Sequence, residues 1–308
     1  MEASITLKKV GKRYKNNSII TDLSLGIEKG TTFTIIGQDG AGKSTLIKIL
    51  AGLIKTDSGK VYIHGQDINQ FMQETRQQIG YLPPHNIHDP WLTGRENIER
   101  YKNFSSHNAY NFKKLYHKFT DLLEFDNYMD QIAAHYPKGV KRRLDLILVL
   151  LQDPAILLLD EPIQDLDYHT KQIMLDYLNN IKKEKTTVIA TDDFTEIETV
   201  TDRWVVLHNG SIRYDGDLEK MVSHVNLDFT GFLEIKNNFR KNILESLKSD
   251  DLVKKFKNLG NTIEIKTDSA SDFFTLIEKL GEDKFCRIAG NSVDLNYLLE
   301  QLTSDEGY

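Results

Sequence analysis

The run Gly37-Gln38-Asp39-Gly40-Ala41-Gly42-Lys43-Ser44, followed by Thr45, fits the spacing G-x-x-x-x-G-K-[ST]. Residue types in that order suit one task, the cradling of a polyphosphate by backbone amides. Gly40 and Gly42 permit the positive φ and close backbone approach that a phosphate requires. The ammonium of Lys43 is placed to bridge the β- and γ-phosphates, and the Ser44 hydroxyl to hold Mg²⁺. A second pattern, Ile156-Leu157-Leu158-Leu159-Asp160-Glu161-Pro162, is an apolar run ending in two carboxylates. Beside a phosphate loop, Asp160 can orient Mg²⁺, and Glu161 can polarise a water aimed at the γ-phosphate. The plainer alternative is a pair of acids capping the following helix. The two patterns together imply a nucleoside triphosphate site, with Lys43 and Glu161 as candidate catalytic groups.

Such groups need strands and helices to aim them. Residues 32–36 are apolar and β-prone, and residues 46–50 continue as an amphipathic helix. A strand feeding a Gly-rich turn and then a helix points amides and a helix N-terminus at one place. Strands are also expected at 5–10, 61–63, 79–82, 156–160 and 186–190, with Pro83-Pro84 breaking the chain. Residues 93–151 read as mainly helical, residues 168–181 as a helix, and 203–214 as a hairpin turning at Asn209-Gly210. Strands alternating with helices predict an α/β fold with a mostly parallel, covered sheet. A second domain is expected at 231–308, a small α+β unit. Its strands lie near 232–236, 262–266 and 285–288, with a Lys-rich helix after the first, a helix at 273–280 and a last helix.

The 308 residues therefore predict two domains, the larger spanning 1–222. Hydrophobic residues at 40% and charged residues at 27% suit a globular chain with a sizeable core. A net charge of −6 argues against nucleic acid held by bulk electrostatics. The one cysteine, Cys286, excludes an internal disulfide and fits a reducing compartment. The longest apolar runs, at 146–151 and 156–159, are too short to cross a bilayer. No signal-peptide core is read at the N-terminus. Any membrane span must come from a partner chain.

Together these motifs resemble the nucleotide-binding subunit of an ATP-binding cassette (ABC) transporter, over roughly residues 3–220. The resemblance implies a P-loop ATPase domain with a mixed sheet core, a β-rich subdomain and a helical subdomain at about 84–153. It places Tyr14 on the adenine, residues 79–83 before the Q-loop, residues 92–98 at the start of the helical subdomain, Asp167 in the D-loop and residues 201–203 after the switch region. ATP and Mg²⁺ are the implied cofactors. The implied partners are integral membrane permease subunits and a second ABC ATPase chain, as homodimer or heterodimer. The implied location is cytoplasmic, peripheral on the inner face of the cell membrane. Residues 293–303 are similar to the C-terminal end of ATPases serving ABC-2-type exporters.

Three positions depart from the family pattern. Pro84 stands where the Q-loop glutamine belongs, and proline offers neither an amide side chain nor an N–H. Pro137-Lys138-Gly139-Val140 replaces the signature that contacts the opposite subunit's ATP. Pro137 removes a hydroxyl and one N–H, yet it suits a first helical turn. Asp192 stands at the switch histidine, where a carboxylate would repel the γ-phosphate. The expectation is an ATP-binding export motor with slow hydrolysis. A nucleotide-gated regulator with little turnover, or a soluble ABC ATPase acting on ribosomes or nucleic acid, are the alternatives. Three further expectations concern other residues: His85 and His88 in a solvated loop, Trp91 anchoring the helical lobe, and Lys141-Arg142-Arg143 on the polar face of the signature helix.

Overall fold

The computed structural model describes residues 3–15, 17–102, 109–193, 196–218, 220–221, 229–236, 239–260, 262–268, 270–281, 284–290 and 302–303. The chain divides into two units, Met1–Asp217 and Leu218–Tyr308. The division falls earlier than the boundary expected at 222.

The first unit opens with β1 (Ala3–Tyr14) and β2 (Asn17–Glu28), continues through β3 (Thr32–Ile36) into helix α1 (Lys43–Leu50), and then forms β4 (Ser58–Ile63) and β5 (Gln66–Asp67). These give a four-stranded antiparallel sheet in the order β2-β1-β4-β5. Next come α2 (Met72–Arg76), β6 (Ile79–Leu82), α3 (Gly94–Lys102), α4 (Ala109–Leu122), α5 (Lys138–Leu150), β7 (Ile156–Asp160), α6 (Tyr168–Ile181), β8 (Thr186–Thr191), β9 (Arg203–His208) and β10 (Ser211–Gly216). The central sheet runs β10-β9-β3-β8-β7-β6, and all its pairings are parallel except the β9–β10 hairpin. Every residue of β3, β7 and β8 is buried, the pattern of strands covered on both faces.

One hydrophobic core joins the two sheets. It gathers Ile5 and Leu7 of β1, Val61 and Ile63 of β4, and Val188 and Ala190 of β8 around Leu46, Ile47, Ile49 and Leu50 of α1. Burying each such Leu or Ile is worth about 1.5–3 kcal/mol. Helix α1 is therefore fixed at the centre of the unit, and the loop before it inherits that rigidity. The sequence expectation of a helical stretch at 93–151 matches α3, α4 and α5, with 3₁₀ turns at Asp126–Tyr128 and Ala133–His135 between them.

The second unit contains β11 (Phe229–Ile235), α7 (Arg240–Leu247), β12 (Lys255–Leu259), β13 (Thr262–Thr267), α8 (Ala270–Leu280) and β14 (Phe285–Gly290). Its antiparallel sheet has the order β12-β13-β11-β14, a split βαβ arrangement. Leu233, Ile235, Ile263 and Ile265 pack against Ile243, Phe273, Leu276 and Ile277. Gly231 is required here, because a Cβ would lie 1.9 Å from the Phe273 ring. The helix expected after the first strand is α7, and the edge strand β12, which the sequence reading did not include, follows it. Cys286 lies in β14. The C-terminal segment 293–303 lies outside the described residues except for its last two positions, 302 and 303.

Candidate functional site

The phosphate loop connects β3 to α1, and its shape is set by glycines packed against the fold. A Cβ on Gly37 would lie 2.2 Å from the Leu207 carbonyl of β9. Gly42, the N-cap of α1, has φ +107°, and a Cβ there would meet the Ile19 carbonyl at 2.9 Å. Gly40 differs: it has φ +81° and open space where a Cβ would be. The close approach is thus to the protein at Gly37 and Gly42, and the open side lies at Gly40. Among the described residues no side chain caps α1, so its first amides are left for an anion.

Lys43 is buried, and its Nζ donates to the carbonyls of Gly37 at 2.6 Å and Gln38 at 3.3 Å. The ammonium is held over its own loop. Next to it, the Ser44 hydroxyl faces the Asp160 carboxylate at the end of β7. Burial raises the pKa of Asp160, while Ser44, Lys48, Lys43 and Arg142 lower it. Its Oδ2 is buried with no hydrogen-bond partner among the described residues. A buried carboxylate oxygen left bare beside a hydroxyl is the donor set a hard divalent cation takes.

Glu161 follows with φ +51°. Its amide donates to Ala190 O at 2.9 Å, its Oε2 accepts from the Thr191 hydroxyl at 2.8 Å, and its Oε1 from the Asp192 amide at 3.1 Å. Burial pushes its pKa up to about 7; Asp192 and Asp160 add to the rise, and the Thr191 bond and Lys43 oppose it. A carboxylate poised there can take a proton near neutral pH. Helix α6 starts seven positions after Glu161, at Tyr168, and Asp167 caps it; the helix-capping alternative for Asp160 and Glu161 therefore fails.

These groups share one cleft of about 750 Å³. Asp39, Gly40, Ala41, Gly42, Lys43, Ser44 and Thr45 line one side. Pro84, Asp160, Glu161, Thr191 and Asp192 line the other, and Tyr14 and Ile19 stand at the margin. Tyr14 ends β1 with 47% of its surface exposed, and the Lys12 ammonium sits 5.6 Å from its ring centre. A core-packed tyrosine is thereby excluded at this position. Gly37 and Gln38 belong to the loop without lining the cleft.

Other candidates lie outside it. Pro137 is the N-cap of α5 rather than part of its first turn, and Lys138 is exposed. Gly139 lies against the Asp165 carbonyl, 2.9 Å from where a Cβ would be, and Val140 is buried. Asp167 accepts from the Thr170 amide at 3.0 Å and from Arg143 Nη2 at 2.5 Å. The structure brings the loop, Asp160, Glu161, Pro84, Asp192 and Tyr14 together, and leaves residues 137–140 and Asp167 away from the cleft in the same chain.

Three expectations are corrected. His88 is not solvated: it is buried, and its Nδ1 donates to the fully buried Asp145 at 2.7 Å. Trp91 is 81% exposed, not packed into the helical lobe as an anchor would be. Arg142 is buried rather than on a polar face, because its guanidinium has backbone carbonyls to bind. Sequence reasoning also missed Thr191, whose only signal was a hydroxyl closing the apolar run 188–190 in a strand that opens with two other threonines. Lys171, which lines the cleft and pairs with Glu196, gave no signal beyond its charge.

Comparison with known proteins bears on this geometry. The ABC transporter family model matches residues 20–164. The probable sulfate/thiosulfate import ATP-binding protein CysA of Chlorella vulgaris is 30% identical over 76% of this chain and 100% of its own length. The chain belongs to the ABC transporter ATP-binding subunits. The Nod factor export ATP-binding protein I of Burkholderia orbicola is 31% identical over 68% of this chain and 69% of its own. NatA of Bacillus subtilis is 27% identical over 70% and 91%. Among solved structures, the dimeric bacterial ABC transporter cassette MJ0796 matches with a TM-score of 0.64 and 25% identity, covering 70% of this chain and 98% of that one. The ATPase subunit thus has an α/β cassette fold and belongs to a family that hydrolyses ATP. Among the described residues no helix is long and apolar enough to cross a membrane.

Proposed function

We propose that this ABC subunit is a slow ATP-driven motor for export through separate membrane permease subunits, acting as a pair with a second ABC ATPase chain. The observation that carries the reading is the composition of the cleft. Lys43, Ser44, Asp160 and Glu161 line it together with Pro84 and Asp192, the two residues that the family resemblance sets against an amide and an imidazole.

In this reading the loop amides and Lys43 bind the phosphates, and Tyr14 stacks on the adenine. Ser44 and the bare Oδ2 of Asp160 would hold Mg²⁺, which screens phosphate charge and favours attack at the γ-phosphorus. Glu161, aimed by Thr191 and the Asp192 amide, takes the proton of the attacking water. The exposed carboxylate of Asp192 adds negative charge where negative charge develops. A preorganised donor missing from such a place costs about 3–4 kcal/mol, or about 10²–10³ in rate. Residues 137–140 and Asp167 then serve the partner chain's nucleotide, in keeping with their position outside this chain's own cleft. The Nod factor export relative supports the direction of transport; the CysA relative is named as an importer. The subunit would lie at the cytoplasmic face of the membrane, held there by its permease.

A nucleotide-gated regulator is favoured by one observation, the exposed carboxylate of Asp192 in the cleft beside Glu161. Measuring ATP affinity and steady-state turnover of the pure chain, with Glu161→Gln as control, tests both readings. Tight binding with slow, Glu161-dependent turnover is expected. Turnover of about tens per second, a typical median for enzymes, would overturn the slow motor. Detergent pull-down that captures no integral membrane protein would favour the regulator.

A further inference from the structure

Helix α5 carries two buried charged side chains one turn apart, and both grip the loop that follows β6. Arg142 is 4% exposed. Its Nη1 donates to Pro83 O at 2.7 Å, its Nη2 to Asp160 O at 2.8 Å and Glu161 O at 2.6 Å, and its Nε to Pro162 O at 3.4 Å. Asp145 accepts at one oxygen from Ile87 N at 3.1 Å, His88 N at 3.0 Å and His88 Nδ1 at 2.7 Å. Residues 83–88 are thus pinned at both ends to α5. The same guanidinium that pins the first end holds the peptide of Glu161.

Burying a guanidinium among carbonyls is costly, and an apolar side chain could fill the space without that cost. Desolvation depresses its pKa, and the nearby charges of Asp145, Asp160, Glu161 and Asp165 oppose the depression. The backbone of Glu161 shows what the cation does. A non-glycine residue at φ +51° is in a sparsely populated conformation, which persists only where its surroundings over-determine it. Three contacts supply that constraint. The amide is fixed by Ala190 O, the carboxylate by Thr191 and Asp192, and the carbonyl by Arg142. Pro84 has no side-chain amide to reach from the loop into the cleft.

We propose that Arg142 is the positioning residue that ties Glu161 to the loop 83–88, so that displacement of the loop re-aims the carboxylate through the carbonyls of Pro83 and Glu161. The proposal rests on the reading of Glu161 as the hydrolytic group. Single-turnover release of phosphate from [γ-³²P]ATP with Mg²⁺ tests it on the full chain, alongside affinity for a fluorescent ATP analogue. Arg142→Gln is expected to bind the analogue within about twofold of the parent while releasing phosphate about 10²-fold slower, the effect of misplacing a catalytic group by about 1 Å. Arg142→Lys keeps the charge but loses the planar fork, so it recovers only part of the rate. If Arg142→Gln does not fold, Arg142→Lys decides alone. Parent rates in the lysine variant, or a loss confined to nucleotide affinity, overturn the proposal. Parent rates in Glu161→Gln would instead overturn the reading of Glu161, so the two failures are distinct.

Discussion

The two walls of the nucleotide cleft differ in how they are built and in what they contribute. The loop wall, Asp39 to Thr45, is continuous in sequence and rooted on the buried residues of α1. The facing wall is assembled from the ends of β6, β7 and β8, and carries Pro84, Asp160, Glu161, Asp165, Asp192 and Asp193. One wall offers amides and an ammonium; the other is dominated by carboxylates. Affinity and rate therefore belong to different walls, and each can be changed without the other. The largest effect should come from the loop wall. Lys43→Ala removes its buried cation and should weaken ATP binding about 10²–10³-fold, or about 3–4 kcal/mol. Titration calorimetry with Mg²⁺ measures this directly. An unchanged affinity would mean that the loop does not hold the nucleotide.

Changing the facing wall should act on rate instead. Asp192→His replaces an exposed carboxylate with a hydrogen-bond donor and removes a charge that helps to raise the pKa of Glu161. Phosphate release is expected to quicken up to about 10²-fold, with ATP affinity shifting by less than about tenfold. Steady-state turnover against ATP concentration separates the two. If affinity moves and the saturated rate does not, the division between the walls is wrong.

The same contrast explains what the sequence disclosed. The loop wall was legible because its spacing, glycines and flanking periodicities all lie within one short segment. The strands β6 and β7 and the helix α6 were read with their bounds, since buried apolar runs and a helical period leave few alternatives. On the facing wall Asp160 and Glu161 were legible from the apolar run they close, and Pro84 and Asp192 only where a family pattern named the position. Thr191 acts through a hydrogen bond to a residue 30 positions away, and Arg142 through bonds to residues 18–20 and 59 positions away, and no local period records such partners. Arg142 in particular sits in a run of three basic residues, which reads as a solvated face until carbonyls are found around it. Strand β12 was missed for a related reason. Lys255 and Lys257 alternate with Phe256 and Asn258, and alternation over five residues on an exposed edge is a weak signal beside a lysine-rich helical neighbour.

The smallest expected effect compares the two helices that begin near the site. Helix α5 has Pro137 as its N-cap and no side-chain cap among the described residues, whereas the N-cap of α6 is Asp167, whose carboxylate accepts from the Thr170 amide and hydroxyl and from Arg143. Those bonds, the Thr170 amide first, hold the Asp167 pKa well below the usual 3.8. A carboxyl depressed in the folded state stabilises it above the unfolded pKa, and that contribution fades as the pH falls through the native value. Asp167→Ala should cost about 1 kcal/mol at pH 7, the ordinary value of a lost cap. The side chain is half exposed, so its link to Arg143 adds little. Trp91 and Trp204, the only tryptophans, both lie in the first unit, so their fluorescence in urea follows that unit alone. The gap between parent and variant should stay constant from pH 7 to about pH 4 and narrow below it. A gap of the same size at pH 3 would assign the loss to packing, and the two helix starts would then differ in shape rather than in charge.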